Sequence, residues 1–125
     1  MSGVKVTIQI NDEALANKLQ GLVDDADVMT EIHQMYAEVI DPWVPMDTGL
    51  LANDLVIDET GILYEAYDEA DGYYAAKNYY DVSIKHRTTH HPLATAYWDK
   101  VAMQTEYERV KQKATEIIVR KANNG

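Results

Sequence analysis

The chain has 125 residues, 46% of them hydrophobic and 26% charged, and a formal net charge of −10. That length predicts one domain over residues 1–125 with a single core, and the composition excludes wholesale disorder. No stretch approaches the ~18 apolar residues of a membrane span. With no cysteine there is no disulfide framework or thiolate metal site, and the acidic balance disfavours a grip on nucleic acid.

Met1-Ser2-Gly3-Val4-Lys5 lacks the basic-then-apolar pattern of an export signal, which predicts synthesis and folding in a cytoplasm. Val4, Val6, Ile8 and Ile10 alternate with polar residues, the period-two pattern of a half-buried strand over 4–10. Asn11 and Asp12 then offer a helix N-cap. Leu15, Leu19 and Leu22 mark a short amphipathic helix that stops near Asp24-Asp25. A second helix carries a stripe of Val28, Ile32, Met35 and Val39, widened by Tyr36 and Ile40 and ended by Pro42.

Residues 42–49, from Pro42 to Gly49, form a punctuated, extended segment, because each proline fixes its own φ and biases the residue before it. Leu55-Val56-Ile57 and Ile62-Leu63-Tyr64 flank Asp58-Glu59-Thr60-Gly61, which predicts a β-hairpin. The acidic residues Asp54, Asp58, Glu59, Glu65, Asp68, Glu69 and Asp71 have no lysine or arginine among them. They form either a solvated, repulsive surface or a face that meets a basic partner or lets DNA pass without sticking.

Tyr64, Tyr67, Tyr73, Tyr74, Tyr79 and Tyr80 crowd the next stretch, which has no clean helical or strand period. From Pro92, suited to a first helical turn, the pattern is helical again. Met103, Tyr107, Val110, Ala114 and Ile117 step by four, three, four and three along one face.

Three constellations invite chemistry. Asp47-Thr48-Gly49 matches the triplet of aspartic proteases, which need two such aspartates sharing a proton. Pro45 interrupts the strand that would carry it, so the triplet reads as a turn in which Asp47 bonds local backbone. His86, His90 and His91, with Asp81 upstream, could suggest a metal site, but His86 and His90 would share a face only on a helix and Thr88-Thr89 with Pro92 argues for a loop, so no metal is expected. No phosphate loop, nucleophile elbow or His-Glu-x-x-His pair is present, and neither an enzyme nor a cofactor is expected. The tyrosines are the stronger lead. Tyrosine joins apolar area to a polar tip and is enriched where proteins meet, although a chain without phenylalanine also needs it for its core. Tyr73, Tyr74, Tyr79 and Tyr80, beside the acidic loop, are the candidate interface.

Taken in order, several segments resemble the minor capsid and tail-completion proteins of tailed phages and prophages. These are Val44-Pro45-Met46-Asp47-Thr48-Gly49-Leu50-Leu51, the hairpin ending Ile62-Leu63-Tyr64, Tyr73-Tyr74-Ala75, and the run from His91-Pro92 to Tyr97-Trp98. The likeness runs from about residue 40 to 105. Trp43, Pro45, Asp47, Thr48, Gly49, Tyr64, His91, Pro92 and Trp98 carry it as structural positions. The insert from Asp68 to Gly72 departs from the pattern, and the strand over 4–10 lies outside it.

The element pattern predicts an α+β fold with a small antiparallel sheet, a hairpin, two N-terminal helices and a long C-terminal helix, and it agrees with the small α+β fold, two helices packed on a sheet, that the resemblance implies. The resemblance further implies a subunit of the head–tail connector in the virion neck, assembled in the bacterial cytoplasm. Its partners would be copies of itself in a ring of six or twelve, other neck proteins, portal-side proteins and tail proteins. DNA would pass nearby without being gripped, and no membrane is involved. The alternative from a different class is an acidic soluble inhibitor or regulator that binds a basic partner.

Overall fold

In a computed structural model, residues 4–44, 55–65, 67–68, 72–73, 79–80, 93 and 95–124 are described. Strand β1 (Val4–Val6) leads to α1 (Glu13–Gly21) and α2 (Ala26–Ile40), then a 3-10 turn over Asp41–Trp43. The hairpin β2 (Leu55–Asp58) and β3 (Gly61–Tyr64) follows, then β4 (Tyr67–Asp68), β5 (Gly72–Tyr73) and the helix α3 (Trp98–Asn124). The fold is α+β, as the sequence predicts.

The central sheet is antiparallel with strand order β1-β3-β2. Val6 pairs with Ile62 and Val4 with Tyr64 on one side of β3, while Leu55 pairs with Tyr64 on the other. The hairpin is tighter than its sequence suggests, since only Glu59 and Thr60 lie outside the strands. Asp58 Oδ1 closes it by accepting from the Thr60 N–H at 2.8 Å, the Thr60 hydroxyl at 2.6 Å and the Gly61 N–H at 3.1 Å.

The first strand stops earlier than the alternation of 4–10 predicts: its ladder ends at Val6 opposite Ile62, one residue short of the start of β3 at Gly61. Beyond Val6 the pairing passes to side chains. The Thr7 hydroxyl donates to the Thr60 carbonyl at 3.0 Å, and the Ile8 N–H donates to His33 Nε2 at 3.4 Å. Ile8 is nevertheless buried, so the apolar alternation is real while the backbone ladder ends.

Both N-terminal helices start on aspartate caps. Asp12 Oδ1 accepts from the Leu15 N–H at 3.1 Å, and Asp25 Oδ1 from the Val28 N–H at 3.2 Å. The first helix ends at Gly21, three residues before the expected stop, because Asp25 is used to cap the next one. Helix α2 buries Val28, Ile32, Tyr36, Val39 and Ile40 as its period predicts, and also Met29 and His33. The stripe is this wide because α2 packs on both the sheet and α3. Pro42 falls within the 3-10 turn that continues from α2, where its missing N–H costs little.

Helix α3 begins at Trp98 rather than at Pro92. The backbone donors just before it serve distant partners: Thr95 N–H donates to the Trp43 carbonyl at 3.1 Å and Tyr97 N–H to the Tyr79 carbonyl at 2.9 Å. Tyr97 itself has φ +48°, a left-handed conformation that a helix cannot continue through. Once started, α3 runs for 27 residues and buries Val110, Ala114 and Ile117 against the core. It lies antiparallel to α2, with Arg120 bonded to Glu31 and Lys121 4.0 Å from Asp25.

Candidate functional site

The aromatic side chains singled out in the sequence converge at the start of α3. Trp98 is fully buried and meets Tyr64 of β3 edge-on, with ring centroids 5.1 Å apart and planes at 75°. Tyr79 packs on the other contact of the same indole at 4.7 Å and 84°. It also meets Tyr97 at 4.9 Å and Tyr80 at 4.9 Å, and Tyr80 closes the group against Tyr97 at 5.9 Å. Edge-to-face rings at these spacings add attraction beyond their burial.

The cluster therefore runs from the core to the surface. Trp98 is 0% exposed, Tyr79 6% and Tyr80 51%. Tyr97 is partly buried, and Lys100 Nζ lies 5.6 Å over its ring. Holding Tyr97 at positive φ costs on the order of 1–3 kcal/mol, offset by its backbone bond to Tyr79 and its ring contacts.

The Tyr79 hydroxyl donates to Asp99 Oδ1 at 2.5 Å, and Asp99 is itself 6% exposed. Burial, then the bond to Asp99, pushes the Tyr79 phenol far above its ordinary value. Burial does the same to Tyr36 and Tyr64. All three phenols stay protonated across the physiological range, so they act as hydrogen-bond donors and packing groups, not as bases.

This arrangement corrects one expectation. Tyr79 was expected on a surface; it is a core residue, because its ring fills the space between Trp98 and Tyr97 and its hydroxyl is committed to Asp99. Tyr80, its neighbour, is half-exposed. Tyr73 sits on β5, paired with Tyr67. Of the motif positions, Tyr64 and Trp98 are core. Trp43 packs against that core, and its carbonyl holds the segment before α3. Tyr74, Pro45, Asp47, Thr48, Gly49, His91 and Pro92 lie outside the described residues, as do His86 and His90.

Sequence reasoning passed over Tyr97 and Asp99. Their one local signal is position, flanking a tryptophan at a helix start. Among the described residues no group of three potential metal ligands gathers, and no helix is long and apolar enough to cross a membrane.

The cluster is thus a packing device with an exposed aromatic end on an α+β scaffold, the kind of feature a structural protein presents. A family model described as minor capsid protein matches residues 6–117. The chain belongs to this minor capsid protein family of phages, and its role is structural, as a component of the virion. The match extends well beyond the motif region and begins at the last residue of β1. No curated protein and no solved structure matches the chain.

Proposed function

We propose that this minor capsid protein is a subunit of the phage head–tail connector, at the neck or tail-completion position, acting as one domain through ring assembly. The observation that carries the reading is the aromatic cluster: Tyr80 is half-exposed yet anchored through Tyr79 and Trp98 to the core. A rigid aromatic anchor contributes contact area with little ordering cost, which is how interface energy concentrates in few residues. Tyr97 flanks Tyr80 there, and Tyr73 and Tyr74 are the further candidates that the sequence offers.

Partners in this reading are six or twelve copies of the chain, a number taken from the symmetry of phage necks, with portal-side and tail proteins above and below. The net charge of −10 suits a protein past which DNA moves without adhering. The protein performs no catalysis, takes no cofactor and assembles in the bacterial cytoplasm before residing in the neck. Family membership favours this reading over an acidic regulator of a basic partner.

The test is a phage carrying Tyr80→Ala. Filled heads without tails, and particles lacking the subunit by mass spectrometry, are expected while the isolated variant keeps its melting temperature. Normal incorporation of the variant, together with Tyr73→Ala and Tyr74→Ala, would reject the interface.

A further inference from the structure

A cavity of about 350 Å³ lies where α3 meets α2 and the segment after β1. Asp99, Met103 and Tyr107 line it from successive turns of α3, at the four-residue spacing that puts side chains on one helix face. Tyr36 of α2 faces them, and the Gln104 amide completes the α3 wall.

The carboxylate is the unusual member. Asp99 is 6% exposed and its Oδ1 accepts from the Tyr79 hydroxyl. Among the described residues no cation lies within ion-pairing distance of it. Lys100, on the rim, is directed over the Tyr97 ring at 5.6 Å. Lys111 is held by Asp12 at 3.1 Å and by the Tyr107 ring at 5.6 Å. Buried carboxylates are ordinarily paired, because an uncompensated charge is costly in a low-dielectric site. The N-terminus of α3 offsets part of that cost, and the cavity leaves room for a counter-ion.

The walls suit an organic cation. Tyr107 is fixed by its hydroxyl, which accepts from the Asn11 N–H at 2.8 Å and the Asp12 N–H at 3.1 Å. Tyr36 is 1% exposed, held by the packing around it. Aromatic rings beside a carboxylate attract guanidinium and ammonium groups through the ring quadrupole and the full charge together. We propose that this cavity seats one basic side chain, an arginine or lysine, from a partner protein of the virion. The chain's own charge of −10 favours a cationic partner, and arginine fits best because its planar, multi-donor head bonds a carboxylate more specifically than an ammonium does. Binding of the cation is independent of the connector role; only the partner's place in the virion rests on it.

The test titrates the full chain with Nα-acetyl-arginine amide, Nα-acetyl-lysine amide, the neutral Nα-acetyl-citrulline amide and spermidine, followed by amide chemical shifts. Saturable shifts at residues 99–107 with the arginine probe, at least tenfold weaker with citrulline, are expected. Asp99→Asn, which keeps an acceptor for Tyr79, should abolish them without a large fall in melting temperature. If that variant unfolds, Met103→Lys provides the second arm: a tethered ammonium should block the arginine probe while the chain stays folded. Absence of saturable shifts, or equal binding of citrulline, overturns the site. Tighter binding of spermidine than of the arginine probe overturns the assignment to a protein side chain. Loss of virion incorporation in Tyr80→Ala alone leaves this outcome untouched, so the two readings fail separately.

Discussion

The Tyr79 hydroxyl and the Asp99 carboxylate are joined across 2.5 Å although twenty positions separate them in the chain. This bond, with the Tyr97 N–H donated to the Tyr79 carbonyl, ties residue 79 to the first turn of α3. The consequence is that one tyrosine of a dense tyrosine segment is structural while its neighbour Tyr80 remains available at the surface.

Tyr79→Phe keeps the ring contacts and removes the donor to a buried carboxylate. Hydrogen bonds to charged groups contribute about 1.5–3 kcal/mol, so a loss of that size is expected in urea denaturation. An unchanged unfolding midpoint would show that Asp99 is satisfied without Tyr79.

Trp98→Ala should cost about 3–5 kcal/mol, because the indole is fully buried between Tyr64 and Tyr79. Tyr80→Ala should cost under about 1 kcal/mol, as expected of a half-exposed ring. Melting temperature measured beside virion incorporation separates them: the first variant fails in both, the second in incorporation alone.

His33 is completely buried and accepts the Ile8 N–H on Nε2, which requires the neutral ring. Burial lowers its pKa from the ordinary 6.5, outweighing the Met29 carbonyl and Asp58, which act in the opposite sense. The unfolded chain therefore binds the proton more readily than the folded one. Stability is complete above about pH 6.5 and declines as pH falls below it towards the folded value. Asp12, held down chiefly by the Leu15 N–H, and Asp58, held down by the Thr60 hydroxyl, lose their contributions only below their ordinary 3.8. Melting temperature should thus fall between pH 7 and pH 5, and His33→Gln should flatten that slope. An unaltered slope would assign the acid sensitivity elsewhere.

Gly61 has φ +151°, and a Cβ there would stand 2.6 Å from the Val6 carbonyl oxygen. The obstacle is backbone, so it cannot swing aside. Gly61→Ala should cost on the order of 2 kcal/mol or more by prising β1 from β3, read as faster amide exchange at Val6 and a lower unfolding midpoint.

Local signals were sufficient for much of this molecule. The cap Asp12, the stripes of α2 and α3, and the Asp58–Gly61 hairpin follow from hydrogen bonds and periodicities confined to a few neighbouring residues. The family, too, is legible in sequence order, and the wider match over 6–117 agrees with it. What the chain alone could not decide is whether a given tyrosine faces inward. Tyr79 and Tyr80 are adjacent in sequence and chemically identical, yet one is buried and the other half-exposed.

That choice depends on Trp98, Asp99 and Tyr97, which reach Tyr79 only once α3 is in place. The start of α3 was likewise set from a distance, by carbonyls of Trp43 and Tyr79 that draw the Thr95 and Tyr97 donors away from a helix beginning at Pro92. Periodicity and capping are short-range and survive in the sequence. The burial of one aromatic among several equivalents is a long-range packing decision, made by whichever ring fills the space beside the indole.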